Sequence, residues 1–120
     1  DQSLAHDYYP LYLWKNHKKI DLSINKTYDY IYSAALIHQQ AIDYINQSTG
    51  KPFFIYLPYT LPHGDVIGPH DSLYYYYRQK FNEQPLAGEA LKTRPHNMKP
   101  EHYPHTQFAE MIDRLNLYVG

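Results

Sequence analysis

The chain has 120 residues, a net charge of −1 with its 8 histidines neutral, and no cysteine. That length allows one small domain at most. The charge gives no reason to expect nucleic acid or an anionic membrane as partner, no run is long enough to span a bilayer, and disulfides and thiolate chemistry are excluded. The compositional oddity is 15 tyrosines. Tyrosine counts as apolar but carries a hydroxyl that needs a partner when buried, so the aliphatic core is smaller than the hydrophobic content of 43% suggests.

In chain order, Leu11 to Trp14 and Lys19 to Leu22 read as two short strands around Lys15-Asn16-His17-Lys18. Asparagine tolerates the left-handed turn region, but His17 in place of glycine weakens the case for a tight type I′ turn. Asn25 to Asp29 is polar and reads as a connection. Ala34, Ile37, Ala41, Ile42 and Ile45 recur at three and four, which predicts a helix over Ser33 to Ser48. Gly50 can terminate it and Pro52 cannot continue it.

The run Phe53-Phe54-Ile55-Tyr56-Leu57 has no polar alternation. It predicts a strand buried on both faces, as in a parallel α/β sheet. The run continues to Pro62-His63, so His63 falls just past the carboxyl end of that strand, where ligands gather in open α/β sheets. Gly64 to Pro69 is a loop. Ser72 to Arg78 has no clear period and fits helix or strand. Asn82 to Pro104 holds four prolines, which argues against regular elements there. Thr106 can cap a last helix with Phe108, Met111, Ile112, Leu115 and Val119 as its apolar face.

Among residues that could carry chemistry, His63 leads, because imidazole titrates near neutrality and can hydrogen-bond an oxygen that is gaining charge. A histidine merely anchored at the start of a loop is the competing explanation, at about even odds from the residues alone. His6 with Tyr8 and Tyr9 is the second candidate, since aromatic faces suit sugar rings and polar tips fix orientation. Packing of Tyr8, Tyr9 and Trp14 at the start of a hairpin is favoured over that role by roughly two to one. Asp65 could lie beside His63 in the same loop, although a solvated loop acid is the more ordinary explanation. His96, His102 and His105 match no zinc spacing. Asn25-Lys26-Thr27 and Asn46-Gln47-Ser48 fit the glycosylation acceptor pattern at near-chance frequency.

Three blocks resemble one family in its order and near its spacing. "KPFFIYLPYTLPH" (51 to 63) resembles the strand and active-site histidine of the sulfatases, "AHDYYPLYLWKN" (5 to 16) is similar to their AHxYYPxYLWxN block, and "FAEMIDRLNLYVG" (108 to 120) to their YAAMVxxLDxxVG helix. The likeness is weak from Ser72 to His105. It implies an α/β fold, a fragment of an alkaline-phosphatase/sulfatase-type sandwich with one buried strand, two flanking helices and a long Pro-rich loop. It also implies that residues 1 to 120 are an internal fragment of the catalytic domain, acting on sulfated carbohydrate or aryl sulfate in a periplasmic, secreted or lysosomal setting. By this likeness His63 is catalytic, while His6, Tyr8 and Asp65 lie near substrate. Asp7, Ala35 and Asn116 depart from the family's usual residues.

The resemblance also implies calcium and a formylglycine for the whole enzyme. Neither is provided for here: no serine is followed by the family's Pro and Arg, cysteine is absent, and the paired aspartates and the Asp-Asn pair are missing. The fragment is therefore expected to be inactive alone, to need no cofactor of its own, and to be able to self-associate. The alternative is a non-catalytic, aromatic-rich carbohydrate-binding module.

Overall fold

The computed structural model describes residues 7–28, 30–88 and 101–120. The chain forms two compact units, residues 1–60 and 61–120. Among the described residues the elements are α-helices with one small antiparallel sheet, a mixed α/β composition. No helix among them is long and apolar enough to cross a membrane.

In the first unit, β1 (Tyr12–Lys15) and β2 (Lys18–Asp21) form the expected hairpin, shifted by one residue at its ends. Leu13 faces Ile20, and Lys15 faces Lys18. Asn16 takes a positive φ of 56° and His17 does not, so the turn is not type I′, which needs both central residues there. Trp14, the chain's single tryptophan, is 62% exposed and meets Tyr12 edge-on. Packing at the start of the hairpin thus falls to Tyr8 and Tyr9, both buried against Tyr32.

The segment after the hairpin is more than a connection. Ser23–Lys26 is a turn of 3-10 helix, and Asn25 within it is buried. Its Nδ2 donates to the carbonyls of Pro10 (2.9 Å) and Ile31 (3.1 Å), and its Oδ1 accepts from the amides of Tyr30 (3.2 Å) and Ile31 (2.9 Å). One side chain thereby ties three stretches of backbone. Helix α1 (Ser33–Gln47) follows, as its period predicts. Ala34 and Ala41 are buried, while Ile37, Ile42 and Ile45 stay largely exposed.

The expectation of a buried strand at Phe53 to Leu57 is overturned. The segment forms no regular element, and Phe54 is 86% and Tyr56 78% exposed. Ile55, Leu57 and Tyr59 are half-buried between exposed neighbours, which is the two-residue rhythm of an extended chain. A strand is completed by the backbone groups of its neighbours, and among the described residues none runs alongside. Apolar composition therefore does not produce burial here.

In the second unit, α2 (Ser72–Phe81) resolves the ambiguous tyrosine run as helix. The Asp71 carboxylate caps it, accepting from the amides of Leu73 (3.1 Å) and Tyr74 (3.5 Å). Residues 82–88 are irregular, as the prolines require, and 89–100 lie outside the described residues. Helix α3 (Pro104–Val119) begins with Pro at its first turn. Thr106 does not cap it. Glu83 does, reaching from beyond α2 to accept from the amides of His105 (3.0 Å) and Thr106 (2.8 Å).

Helix α3 buries a face that shares Met111 with the one its apolar residues define but is otherwise polar. Thr106, Gln107, Glu110 and Met111 are buried, whereas Phe108, Ile112 and Val119 are exposed. Several polar side chains at the contact with α2 find partners: Arg114 bonds Glu110 and also Asp71 (2.8 Å), and Tyr77 donates to Asp113 (3.1 Å). The Arg78 guanidinium lies 3.5 Å from the centre of the Tyr103 ring.

Two outcomes follow from these contacts. Asn25→Ala removes four hydrogen bonds and strands their backbone partners, at about 1 kcal/mol net per bond and more for each group left dry. It should destabilise the first unit by roughly 3 kcal/mol or more, measured as a lowered urea midpoint in near-ultraviolet circular dichroism of the buried tyrosines. Glu83 is the second case. Burial alone would raise its pKa, but the bonds from Thr106 and His105 outweigh burial and hold it below the ordinary carboxylate range. A depressed carboxylate stabilises the fold above its unfolded pKa, and that contribution disappears as pH falls through the folded value. Glu83→Gln should thus cost about 1 kcal/mol near pH 7 and nothing in acid below the folded value, as melting temperatures across pH will show.

Candidate functional site

His63 stands at the end of the extended apolar segment, at the start of the second unit. It is half-buried in a loop that runs from Pro62 to His70. The Asp65 amide donates to His63 Nδ1 at 3.1 Å. An imidazole whose Nδ1 accepts a hydrogen bond carries the proton of its neutral form on Nε2. The loop geometry therefore selects a tautomer with its donor at the far ring nitrogen. The Ile67 amide closes the turn onto the Asp65 carbonyl at 3.0 Å.

Asp65 is buried, at 6% exposure. The picture of a solvated loop acid is therefore corrected: this carboxylate lies inside the loop, with Val66 and Gly68 buried near it in sequence. Tyr8 is also internal. Its ring stacks on Tyr32 with centroids 5.6 Å apart, and its hydroxyl donates to the Thr60 carbonyl at 3.1 Å. Both ends of the side chain are thus engaged in holding the first unit. His6 lies outside the described residues.

The loop containing His63 rests on α3. A methyl group added at Gly68 would sit 2.5 Å from Gln107 Nε2 and 2.6 Å from Glu110 Oε2, so any larger residue would force these two side-chain ends to move. Gln107 and Glu110 are fully buried, and Gln107 Nε2 donates to Glu110 Oε2 at 2.8 Å. Burial pushes the Glu110 carboxyl up to about 7, with Arg114 pulling the other way and the Asp71 charge adding to the rise. Burial alone would weaken the charge on Arg114, but its bonds to Asp71 and Glu110 more than restore it. Gln107, Glu110 and Arg114 do not stand out in the sequence. They lie on the polar side of an amphipathic pattern, where solvent exposure is the ordinary expectation.

A concave feature belongs to the first unit. An open groove of about 700 Å³ lies between the hairpin and α1, with Leu13, Ile20, Leu36 and Ile37 as apolar lining and Gln40 and Asp43 among its polar residues. Lys15 donates to Gln40, and Gln40 to Asp43 at 3.2 Å.

Among the described residues no group of three or more His, Asp or Glu side chains could hold a metal ion. His105 is taken up by Glu83 (3.1 Å), and His102 Nδ1 lies 3.0 Å from the Leu86 carbonyl. His96 is outside the described residues. The residues present do not fit the calcium and formylglycine of a sulfatase centre, which needs an oxygen cage and a modified Cys or Ser. The first glycosylation pattern is likewise consumed by the fold, since Asn25 Nδ2, the atom a glycan would occupy, is buried and donates twice. Asn46 of the second pattern is exposed. No family model matches the chain, and no curated protein matches it significantly.

Proposed function

We propose that this chain is part of a sulfatase, a hydrolase of sulfate esters, in which His63 assists departure of the alcohol. One observation carries the reading: the Asp65 amide holds Nδ1 as an acceptor, which sets the proton of neutral His63 on Nε2. In the reaction an oxygen nucleophile supplied outside this chain bonds to sulfur as the bond from sulfur to the ester oxygen breaks, that oxygen gains charge, and Nε2–H hydrogen-bonds to it. The imidazole keeps that proton and stays neutral, stabilising the leaving oxygen through the hydrogen bond, and the alkoxide takes its proton from water. The motif around His63 supports the same role by resemblance. Nucleophile and metal are not supplied by the residues of this chain, so the 120-residue protein itself should not turn over aryl sulfates.

A second reading, a non-catalytic carbohydrate-binding module, has one observation in its favour. The groove beside α1 combines apolar walls with amide and carboxylate groups, the mixture that saccharide sites use to hold a ring and fix its hydroxyls. Calorimetric titration of the 120-residue chain with neutral and sulfated oligosaccharides addresses it.

For the first reading, His63→Ala in the full-length enzyme should lower kcat by ~10²–10⁴-fold with a smaller effect on KM. The loss should be greatest for sugar sulfates, whose alcohols are poor leaving groups, and should shrink for activated aryl sulfates. The check is kcat and KM for both substrate classes beside the melting temperature. A folded variant with normal turnover of sugar sulfates rules out the assignment of His63.

A further inference from the structure

We propose that Gln107 and Glu110 form a proton-gated amide pair that positions the His63 loop through Gly68. The inference rests on the reading of His63 given above and deepens it by adding a means of regulation.

The geometry runs as a short chain of contacts. Gly68 lies against Gln107 Nε2 and Glu110 Oε2, so that a side chain there would displace both. Next to Gly68, the Ile67 amide bonds the Asp65 carbonyl, and the Asp65 amide bonds His63 Nδ1. Two hydrogen bonds therefore separate the seat of Gly68 from the imidazole. A change in the seat has a direct route to the ring.

The seat has two states. With Glu110 ionised, Oε1 accepts from Arg114 and Oε2 accepts from Gln107 Nε2. In that state Gln107 Oε1 is buried and has no hydrogen-bond partner among the described residues. Such an orphaned acceptor is costly, and it stands beside a carboxylate. When Glu110 takes up a proton at Oε2, that oxygen becomes a donor. Half a turn of the Gln107 amide then brings Oε1 to the new hydroxyl and swings Nε2 away, so Oε1 gains the partner that Nε2 gives up. No bond other than the one to the proton is made covalently, and Arg114 keeps Asp71. Gly68 then faces an amide oxygen where it faced an amino group, and the loop must adjust.

The charged groups around Glu110 are Arg114 on its own helix and Asp71 at the start of α2, with the Tyr118 hydroxyl a further turn along α3. The loop itself carries Asp65 and His70. His70 is stacked on Tyr74 and lies 3.7 Å from Glu101. With its carboxyl raised to about 7, Glu110 changes state near neutral pH.

The test is nuclear magnetic resonance of the 120-residue chain between acid and alkaline pH. It follows the amides of Ile67 and Gly68, the Gln107 side-chain NH₂, the Glu110 carboxyl carbon and the His63 ring. The Gly68 amide and the Gln107 NH₂ are expected to move with the same midpoint as the Glu110 carbon. In Glu110→Gln, whose NH₂ replaces the acid's donor, they should stay at their acidic positions at every pH. A Gly68 amide that ignores the Glu110 midpoint in the wild-type chain overturns the proposal, and this holds even if Glu110→Gln does not fold. So does a Gly68 step that survives unchanged in a folded Glu110→Gln. If Gly68 follows Glu110 while His63→Ala leaves turnover of the full-length enzyme intact, the seat stands and the reading of His63 fails.

Discussion

Arg114 holds two carboxylates at once, Glu110 on its own helix and Asp71 at the cap of the preceding one. Most of the second unit depends on that arrangement. Asp71 starts α2, and Glu110 with Gln107 seats the loop that carries His63. A buried pair of this kind adds little net stability over an apolar equivalent, yet removing one partner leaves a charge stranded and costs several kcal/mol. Its effect is to select one arrangement of the two helices. It also explains why α3 turns a polar face inward while Phe108 and Ile112 remain outside.

The first unit meets the same constraint with a neutral group. Asn25 makes four bonds to backbone in a region with few buried aliphatic side chains. Around it, Tyr8, Tyr9 and Tyr32 supply apolar area, and the Tyr8 hydroxyl finds a carbonyl. A chain rich in tyrosine can bury its rings only by giving each hydroxyl a partner or an opening to water. Both units are therefore organised by where polar groups are satisfied.

What could be read from the sequence follows from that. Helix α1 and the hairpin were legible because each depends on local spacing and a turn, and α3 was legible as a helix. The inward face of α3 was not, because apolar periodicity reports a face that needs covering and says nothing of what covers it. Phe53 to Leu57 failed for a related reason: a strand is a property of a pair, and hydrophobicity in one segment does not supply the other. Ser72 to Phe81 became helix through an aspartate cap that its tyrosines concealed. Within the candidate site, the Pro-His pair marked His63, but Gly68, Gln107 and Glu110 acquire their roles only when loop and helix meet.

The position of Trp14 has an experimental consequence. The only indole of the chain sits on a solvent-facing strand, and the second unit contains none. Its emission should be red and nearly the same folded or unfolded, so a fluorescence melt excited at the indole band will be almost silent. Unfolding of this protein has to be watched through its tyrosines, and the second unit, with its run of four in α2, has a chromophore of its own.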